Sequence, residues 1–472
     1  MSSLTKSESV HDGATTIIRS GGGTEFASVP LHDEKFDKEQ DEAAIGSDTE
    51  NDQTACPSEQ GSPPLREPPD GGYGFVVLIS TFICMGLSFG MINAYGAFNR
   101  YYTEVLFKGR ESPSTISFVG TLTVCMMNLL GPFSGYVNDL VGVRMTVVSG
   151  SIIMCLGMIL ASFAHELWQL FLTQGILVGI GSSMIYLPCT SLPAQWFQKY
   201  RGLATGFAIA GSGVGGLALA PITTSLISSM GIHWALRVMG FIVLGGTFTA
   251  GLLLKPLNPP PKDRPRPSVK DMYKWVMFKD IKFVFLLLSG VCSNVAYFVP
   301  LYYLPVQASR LGYTASQASS LLSVLNGGSV AGRVLGGYAA DLVGPVNNVA
   351  VSVLIAAGSV FILWLPFTTI GPFYAFAVIY GAFCGAYISN IPLIVIDTWG
   401  AAGFASTLGL TMMGNAIGSV SGSPIAGAIL GSDPTTTNFT PVILFGGCIL
   451  AGCDLFLCLF RVSRTRKLLV KI

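Results

Sequence analysis

The sequence predicts an all-α membrane protein with twelve transmembrane helices in two six-helix pseudo-repeat halves. Half of its 472 residues are hydrophobic and only 11% are charged, whereas an ordinary soluble domain has about 25% charged residues. One phrase also occurs twice, 202 positions apart: Gly135-Tyr-Val-Asn-Asp139-Leu-Val-Gly142 and Gly337-Tyr-Ala-Ala-Asp341-Leu-Val-Gly344. Low charge favours burial in a bilayer, and the repeated phrase indicates an internal duplication.

The first 70 residues differ in composition from everything that follows. They hold an acidic and polar tract that includes residues 33–39, Asp-Glu-Lys-Phe-Asp-Lys-Glu. Such a segment has too few apolar residues to bury a core, and it is too acidic for a signal peptide or a mitochondrial presequence. Residues 1–70 are therefore expected to form a disordered acidic cytoplasmic tail, and the first membrane helix is expected to direct insertion.

Apolar stretches of about 20 residues, the length that crosses the hydrocarbon, follow the tail in a regular series. Twelve such spans are predicted, at 75–98, 115–136, 143–164, 167–189, 202–228, 235–255, 282–305, 317–340, 347–367, 372–395, 403–430 and 440–460. The proline-rich, basic segment 256–280 divides them into an N-terminal half, 71–255, and a C-terminal half, 281–460.

Lysine and arginine near the spans predict the orientation. They concentrate in the segment 256–280 and in the C-terminal segment 461–472, so both segments and both termini are expected to be cytoplasmic. The sequon Asn438-Phe-Thr440 then falls in an outer loop, where a glycan would be added to Asn438. The expected location is the plasma membrane, with the vacuolar membrane as the alternative.

The repeated phrases each occupy a short turn between two spans. Glycine permits the turn and close helix packing, while the aspartate can cap a helix or pair with a cation across the interface between the halves. A gating role is therefore predicted for Gly135, Asp139, Gly142, Arg144, Gly337, Asp341 and Gly344. The second copy has Pro345-Val346 where the first has Val143-Arg144, and a weaker contact is expected there.

A second set of repeated residues supports the duplication. Gly206, Gly211, Gly215 and Pro221 of the fifth span recur 203 positions later as Gly409, Gly414, Gly418 and Pro424 of the eleventh. The pattern Gly-x-x-x-Asp-x-x-Gly-x-Arg at 135–144 resembles a motif of the major facilitator superfamily. That resemblance implies a secondary transporter whose halves rock about a site near the midplane of the bilayer.

Three further phrases resemble the monocarboxylate porter family within that superfamily, in its fungal branch. They are Pro68-Pro-Asp70-Gly-Gly-Tyr73-Gly at the first span, Trp196-Phe-Gln-Lys-Tyr-Arg201-Gly before the fifth, and Tyr297-Phe298-Val-Pro300 with Tyr302 in the seventh. The family implies proton-linked transport of small carboxylates by a lysine in helix one and an Asp-x-x-x-Arg set in helix eight. This chain has Asn93 at the lysine position and Ser329 at the aspartate position, but it retains the arginine as Arg333.

Arg333 is the main candidate for substrate binding. A charged residue inside a span costs about 3 kcal/mol or more at the bilayer centre unless it faces a cavity or a partner. Its guanidinium can hold an anionic group in a two-pronged fork, or it can instead belong to the cytoplasmic gate. The other predicted substrate-binding residues are Asn93, Asn294, Tyr297, Phe298, Tyr302 and Asn390, and Asn128, Asn326, Asn415, Tyr95 and Tyr387 are further candidates for the cavity lining.

Several functional classes are not supported by the sequence. It contains no phosphate-binding loop and no nucleophile elbow, and its four histidines form no metal-ligand pattern. No enzyme activity, metal, cofactor or nucleic-acid partner is therefore predicted. The expected partners are a small-molecule substrate, the lipid bilayer and possible coupling protons, and a monomer is expected. The sequence predicts a carrier of an organic anion, with efflux of a larger fungal metabolite, uptake of a vitamin-like aromatic solute and a non-transporting nutrient receptor as alternatives.

Overall fold

The fold was analysed in a computed structural model, which describes residues 67–258, 272–273, 275–400, 404–431 and 438–465. Nearly all of the predicted tail and most of the predicted linker lie outside these ranges. The described residues belong to one unit of the chain, Ser62–Ile472.

Twelve helical segments follow one another along the described chain, and they are numbered α1 to α12. The first six are α1 Tyr73–Leu106, α2 Pro113–Leu129 with Gly131–Val141, α3 Val143–Ala161, α4 Leu167–Trp196, α5 Arg201–Met230 and α6 Ile232–Leu253. The last six are α7 Ile281–Arg310, α8 Ala315–Val343, α9 Pro345–Trp364, α10 Ile370–Trp399, α11 Phe404–Leu430 and α12 Thr440–Arg464.

These helices are consistent with the twelve predicted spans. Nine of the described helices are long and apolar enough to cross a membrane, and the two parts of α2, bent by 50° at a short break, make a tenth span. The remaining two, α8 and α11, have 29 and 27 residues, which is longer than the about 20 residues that a span requires. Their sequences are rich in glycine, serine and other small or polar residues, because both helices pack closely against neighbours and line the interior.

Helix packing repeats between the first six helices and the last six. α1 packs on α5 as α7 packs on α11, and α3 packs on α6 as α9 packs on α12. The two groups meet where α5 contacts α8 and where α11 contacts α2. The duplication visible in the sequence is therefore also a duplication of packing.

The twelfth helix continues beyond the predicted end of its span. Arg461 donates a hydrogen bond from Nε to Asn347 Oδ1 at 2.6 Å, and Arg464 donates from Nη2 to the carbonyl oxygen of Asp397 at 2.9 Å. These bonds hold the last turn of α12 against the start of α9 and the end of α10. Arg461 is accordingly only 9% exposed, although it was expected to begin a basic terminal segment.

Candidate functional site

A cavity lies between the two groups of six helices. It encloses about 1280 Å³ of space, part of which is continuous with solvent. Its walls come from α1, α2, α4 and α5 of the first group and from α7, α8, α10 and α11, the equivalent helices of the second. Both halves of the duplicated chain therefore contribute to one central site.

Arg333 of α8 lines this cavity and is only 7% exposed. Its Nη1 donates a hydrogen bond to the carbonyl oxygen of Ile209 at 3.3 Å and another, short one to the hydroxyl of Ser212. Both partners lie on α5, so the bonds join the two halves. The Nε atom is buried and has no hydrogen-bond partner within the described residues. A donor of a buried charge that lacks an acceptor is costly, so Nε is the least stabilised part of the Arg333 guanidinium.

Four more predicted substrate-binding residues lie in the cavity wall: Asn93 on α1 and Asn294, Tyr297 and Phe298 on α7. Each of the two asparagines donates to a carbonyl oxygen one turn earlier on its own helix. Asn93 donates to the carbonyl oxygen of Phe89 at 3.0 Å, and Asn294 donates to that of Gly290 at 3.1 Å. Each amide is thereby fixed on its own helix beside the cavity.

Asn390 and Tyr302, which were also predicted to bind substrate, are not among the residues that line this cavity. Asn390 is fully buried and donates to the carbonyl oxygens of Ala386 at 2.6 Å and of Gly336 at 3.3 Å. Its bond to Gly336 joins α10 to α8, and the close approach of these helices depends on Gly336, where a Cβ atom would overlap Ala386. Tyr302 lies one helical turn beyond Phe298, stacks on that ring at 5.9 Å and is 48% exposed.

The further candidates divide in a similar way. Asn128, Asn326, Asn415 and Tyr387 line the cavity, whereas Tyr95 lies in a separate small pocket inside the first group of helices. Tyr186, Ser212 and Thr411 also line the cavity, although the sequence analysis did not select them. For Ser212 a signal was available, because it is equivalent to Asn415 at the 203-residue offset.

The two Gly-Asp turns lie at one end of the molecule, which is called the latch end here. Each turn is made by a glycine with positive φ, +83° at Gly142 and +91° at Gly344, a conformation that other residues adopt only with strain. At this end the carboxylate of Asp341 accepts hydrogen bonds from the backbone N–H groups of Gly202 at 2.6 Å and Leu203 at 2.9 Å. Asp341 thus caps the first turn of α5 from the opposite half.

Close helix approach accompanies this cap. A Cβ atom on Gly202 or Gly337 would overlap the backbone of the other residue, and a Cβ atom on Gly206 would overlap the carbonyl oxygen of Arg333. The first copy of the phrase makes the equivalent approach to α11. There a Cβ on Gly135 would lie 3.0 Å from the carbonyl oxygen of Ala405.

Two more polar contacts reinforce the latch end. Arg201, the first residue of α5, forms an ion pair with Asp397 of α10 at 2.8 Å, which again joins the halves. Arg144 donates from Nε to the carbonyl oxygen of Leu254 at 2.6 Å, so it ties α3 to the end of α6 within its own half. Asp139, which is half-buried, occupies the position equivalent to Asp341 in the first copy.

The two family-like phrases at Asp70 and Trp196 contact each other. The carboxylate of Asp70 accepts hydrogen bonds from the backbone N–H groups of Gln198 at 2.6 Å and Lys199 at 3.0 Å. The rings of Tyr73 and Trp196 lie 5.8 Å apart. Asp70 therefore fixes the loop from which α5 and its latch contacts begin.

No cofactor site emerges from the described parts of the chain. Within them, no three side chains of histidine, cysteine, aspartate or glutamate come together as metal ligands. The described cysteines are free thiols. Asp454 of α12 does not line the cavity, and no aspartate or glutamate is among the lining residues.

Comparison with known proteins places this architecture in a family. The profile of the Major Facilitator Superfamily matches residues 72–405 and 308–471. The fold is similar to the crystal structure of FucP, described as a Major Facilitator Superfamily transporter in the outward conformation, with a TM-score of 0.64 and 15% identity over 82% of this chain and 98% of that one.

Relatives in fungi are closer in sequence. MFS transporter asaE of Aspergillus flavus is 32% identical over 433 residues, which cover 91% of this chain and 96% of the relative. The fujikurins efflux protein of Gibberella fujikuroi is 28% identical over 96% of this chain and 98% of its own length. An agnestins efflux protein of Paecilomyces divaricatus is 31% identical over 84% and 89%. This chain belongs to the Major Facilitator Superfamily and is a secondary transporter of that type.

Proposed function

We propose that the protein carries an organic anion larger than lactate or pyruvate, and that efflux of a fungal metabolite is its physiological direction. The observation that carries this proposal is Arg333, a cation in the wall of the central cavity whose Nε has no hydrogen-bond partner within the described residues. The same wall includes the rings of Phe89, Tyr186, Tyr297, Phe298 and Tyr387, which is more aromatic surface than a three-carbon acid could contact. Two of the fungal relatives are named as efflux proteins, which supports this direction.

The chemistry of the cavity wall supports an amphipathic substrate. Arg333 supplies one cation, and Tyr297 and Phe298 supply aromatic surface. The amides of Asn93 on α1 and Asn294 on α7 supply neutral hydrogen-bonding groups, one from each half. A substrate with one acidic group and a partly apolar, oxygen-bearing body would satisfy all of these groups together.

Classical proton-linked carriage of a small carboxylate is the second candidate, and it rests on the resemblance to the monocarboxylate porters. Asn93 and Ser329 stand at the positions where that family has its lysine and aspartate, and among the described lining residues none is acidic. Proton coupling would then depend on a carboxylate outside the cavity or on a proton carried by the substrate itself. A non-transporting receptor is a remote alternative, supported by no feature of the site.

Alternating access gives the latch contacts their role in this proposal. With the latch end on the cytoplasmic side, the Asp341 cap and the Arg201–Asp397 ion pair close the cytoplasmic entrance while the cavity is open opposite to them. Rocking the halves apart at the latch end would break those bonds and expose the cavity to the cytoplasm. A plasma-membrane monomer with both termini cytoplasmic and a glycan on Asn438 completes the proposal; Asn438 is exposed in the structure.

Proteoliposome transport tests the proposed function. The panel contains labelled lactate and pyruvate, naphthalene-2-sulfonate as a permanently charged aromatic anion, and naphthalene-2-sulfonamide as its neutral counterpart. Each is measured with and without an imposed pH gradient. We expect transport of the sulfonate but not of the sulfonamide. Lactate uptake driven by the pH gradient, with no sulfonate transport, would instead support the classical porter.

Substitution of Arg333 assigns the anion site. Arg333→Lys keeps the charge but loses the planar fork, so its affinity for the sulfonate should fall at least tenfold, about 1.4 kcal/mol. Arg333→Ala loses both the charge and the fork, so sulfonate binding should be lost. The control is Arg237→Lys, because Arg237 lies outside the cavity lining. Unchanged affinity with slower cycling would assign Arg333 to the gate alone.

A further inference from the structure

We propose that the carrier is an anion exchanger, in which the empty protein changes between its two conformations only slowly and a bound anion permits the change. The proposal rests on the proposed function, because it takes the cavity to be an organic-anion site. It goes beyond it by assigning the mode of transport. The observation behind it is that the described lining residues of the cavity include one cation and no countercharge.

The charge balance of the cavity is unusual for a membrane protein. Arg333 is the one charged residue among the described lining residues, and its hydrogen-bond partners, the carbonyl of Ile209 and the hydroxyl of Ser212, are both neutral. Ser329, one turn before Arg333 on α8, is 1% exposed, and its Oγ has no hydrogen-bond partner among the residues that the structure describes. An acidic residue at that position would pair with Arg333, since side chains four residues apart on a helix are neighbours.

The unbalanced charge of Arg333 affects the rate at which the carrier changes between its two open states. Between the two open states the cavity passes through a closed arrangement from which bulk water is largely excluded. An unpaired guanidinium is poorly solvated there, so the empty carrier meets a high barrier. A bound carboxylate or sulfonate supplies the countercharge and fills the acceptor position at Nε. The barrier is then lower for the loaded carrier in both directions, and transport becomes one-for-one exchange.

The latch contacts provide a readout that needs no substrate. When the latch end is closed, the N–H groups of Gly202 and Leu203 are bonded to Asp341, so their hydrogen exchange reports how often that end opens. Exchange is measured by mass spectrometry on the full chain in nanodiscs. In the ligand-free wild type we expect slow exchange, and naphthalene-2-sulfonate should accelerate it.

Ser329→Asp is the decisive variant because it places a carboxylate one turn from Arg333. Without any ligand, its Gly202 and Leu203 amides should exchange at least tenfold faster than those of the wild type. Ser329→Asn is the matched control, since it adds nearly the same volume without charge and should exchange like the wild type. If ligand-free wild type already exchanges as fast as Ser329→Asp, or if Ser329→Asp and Ser329→Asn exchange equally, the proposal is wrong.

Flux measurements separate this proposal from the proposed function. Wild-type proteoliposomes preloaded with unlabelled naphthalene-2-sulfonate should take up the labelled anion at least tenfold faster than empty ones, and Ser329→Asp should remove most of that difference. Equal wild-type uptake into loaded and empty vesicles would overturn exchange while leaving anion transport intact. If no panel anion is transported in either condition, the proposed function is rejected. The hydrogen exchange of the ligand-free protein would still decide whether the unpaired charge slows the change between the two conformations.

Discussion

At the residue scale, the decisive group is Arg333, whose two edges have different surroundings. Nη1 is bonded to Ser212 and to the carbonyl of Ile209 on α5, whereas Nε has no acceptor within the described residues. A guanidinium whose Nη1 is held by hydrogen bonds cannot rotate freely. The N–H bond of Nε therefore has a fixed orientation. Pre-orienting the fork in this way lowers the entropy cost of binding a planar or tetrahedral anion.

Ser212→Ala should weaken anion binding because it frees the guanidinium. Removing one partner of a buried hydrogen bond costs about 1–3 kcal/mol, and we expect sulfonate affinity to fall three- to tenfold, measured by titration of the purified protein. The control is Ser183→Ala, because the Ser183 hydroxyl is buried and has no hydrogen-bond partner in the described parts of the chain. Equal affinities for the two variants would show that Ser212 does not orient Arg333.

At the scale of helices, the first turn of α5 is the element on which the latch contacts converge. Asp70 fixes the preceding loop, Arg201 pairs with α10, and Asp341 caps the N–H groups of Gly202 and Leu203. The positive end of the helix dipole strengthens a carboxylate cap. The expectation of a weaker second copy considered only the missing arginine, yet the aspartate of that copy makes two short bonds across the halves.

Asp341→Asn should loosen the latch end. The variant keeps the shape of the side chain but loses the charge, and hydrogen bonds to charged groups are each worth about 1.5–3 kcal/mol. We expect at least tenfold faster hydrogen exchange at Leu203, measured in nanodiscs. Glu104→Gln, which removes only an exposed ion pair with Arg100, should leave that exchange unchanged. If both variants behaved alike, the cap would not hold the latch closed.

At the scale of the whole molecule, closure depends on how near α5 and α8 come to each other. A Cβ on Gly206 would overlap the carbonyl oxygen of Arg333, and backbone cannot move aside as a flexible side chain can. The closed arrangement is therefore available only to glycine at this crossing. Along α5, the Arg333 bonds lie on the cavity side of this crossing and the Asp341 cap lies on its latch-end side. The proposed binding site and the gate therefore share one interface, between α5 and α8.

Gly206→Ala should consequently shift the population toward the state that is open at the latch end. The expected signs are faster hydrogen exchange at Gly202 and Leu203 and a lower unfolding temperature. Gly245→Ala is the matched control, because a Cβ at Gly245 meets no atom within 4 Å. If the amides of Gly202 and Leu203 exchange as slowly in Gly206→Ala as in the wild type, the halves can close without the glycine contact.

The sequence by itself determined the class of the molecule, its duplication and the presence of a cation, Arg333, inside a span. Those properties can be read from residue type and spacing, because hydropathy, the 202-residue repeat of Gly135 and Gly337, and a charge such as Arg333 inside a span need no knowledge of packing. Only the tertiary structure decided which side chains share the cavity. The residue types could not tell that Asn390 lies outside the cavity lining or that Ser212 belongs to it, because the direction in which a side chain points depends on how its helix is rotated and crossed by its neighbours. The bond of Asn390 to Gly336 of α8, and the bond of Arg333 to Ser212 across the halves, are consequences of that rotation and crossing.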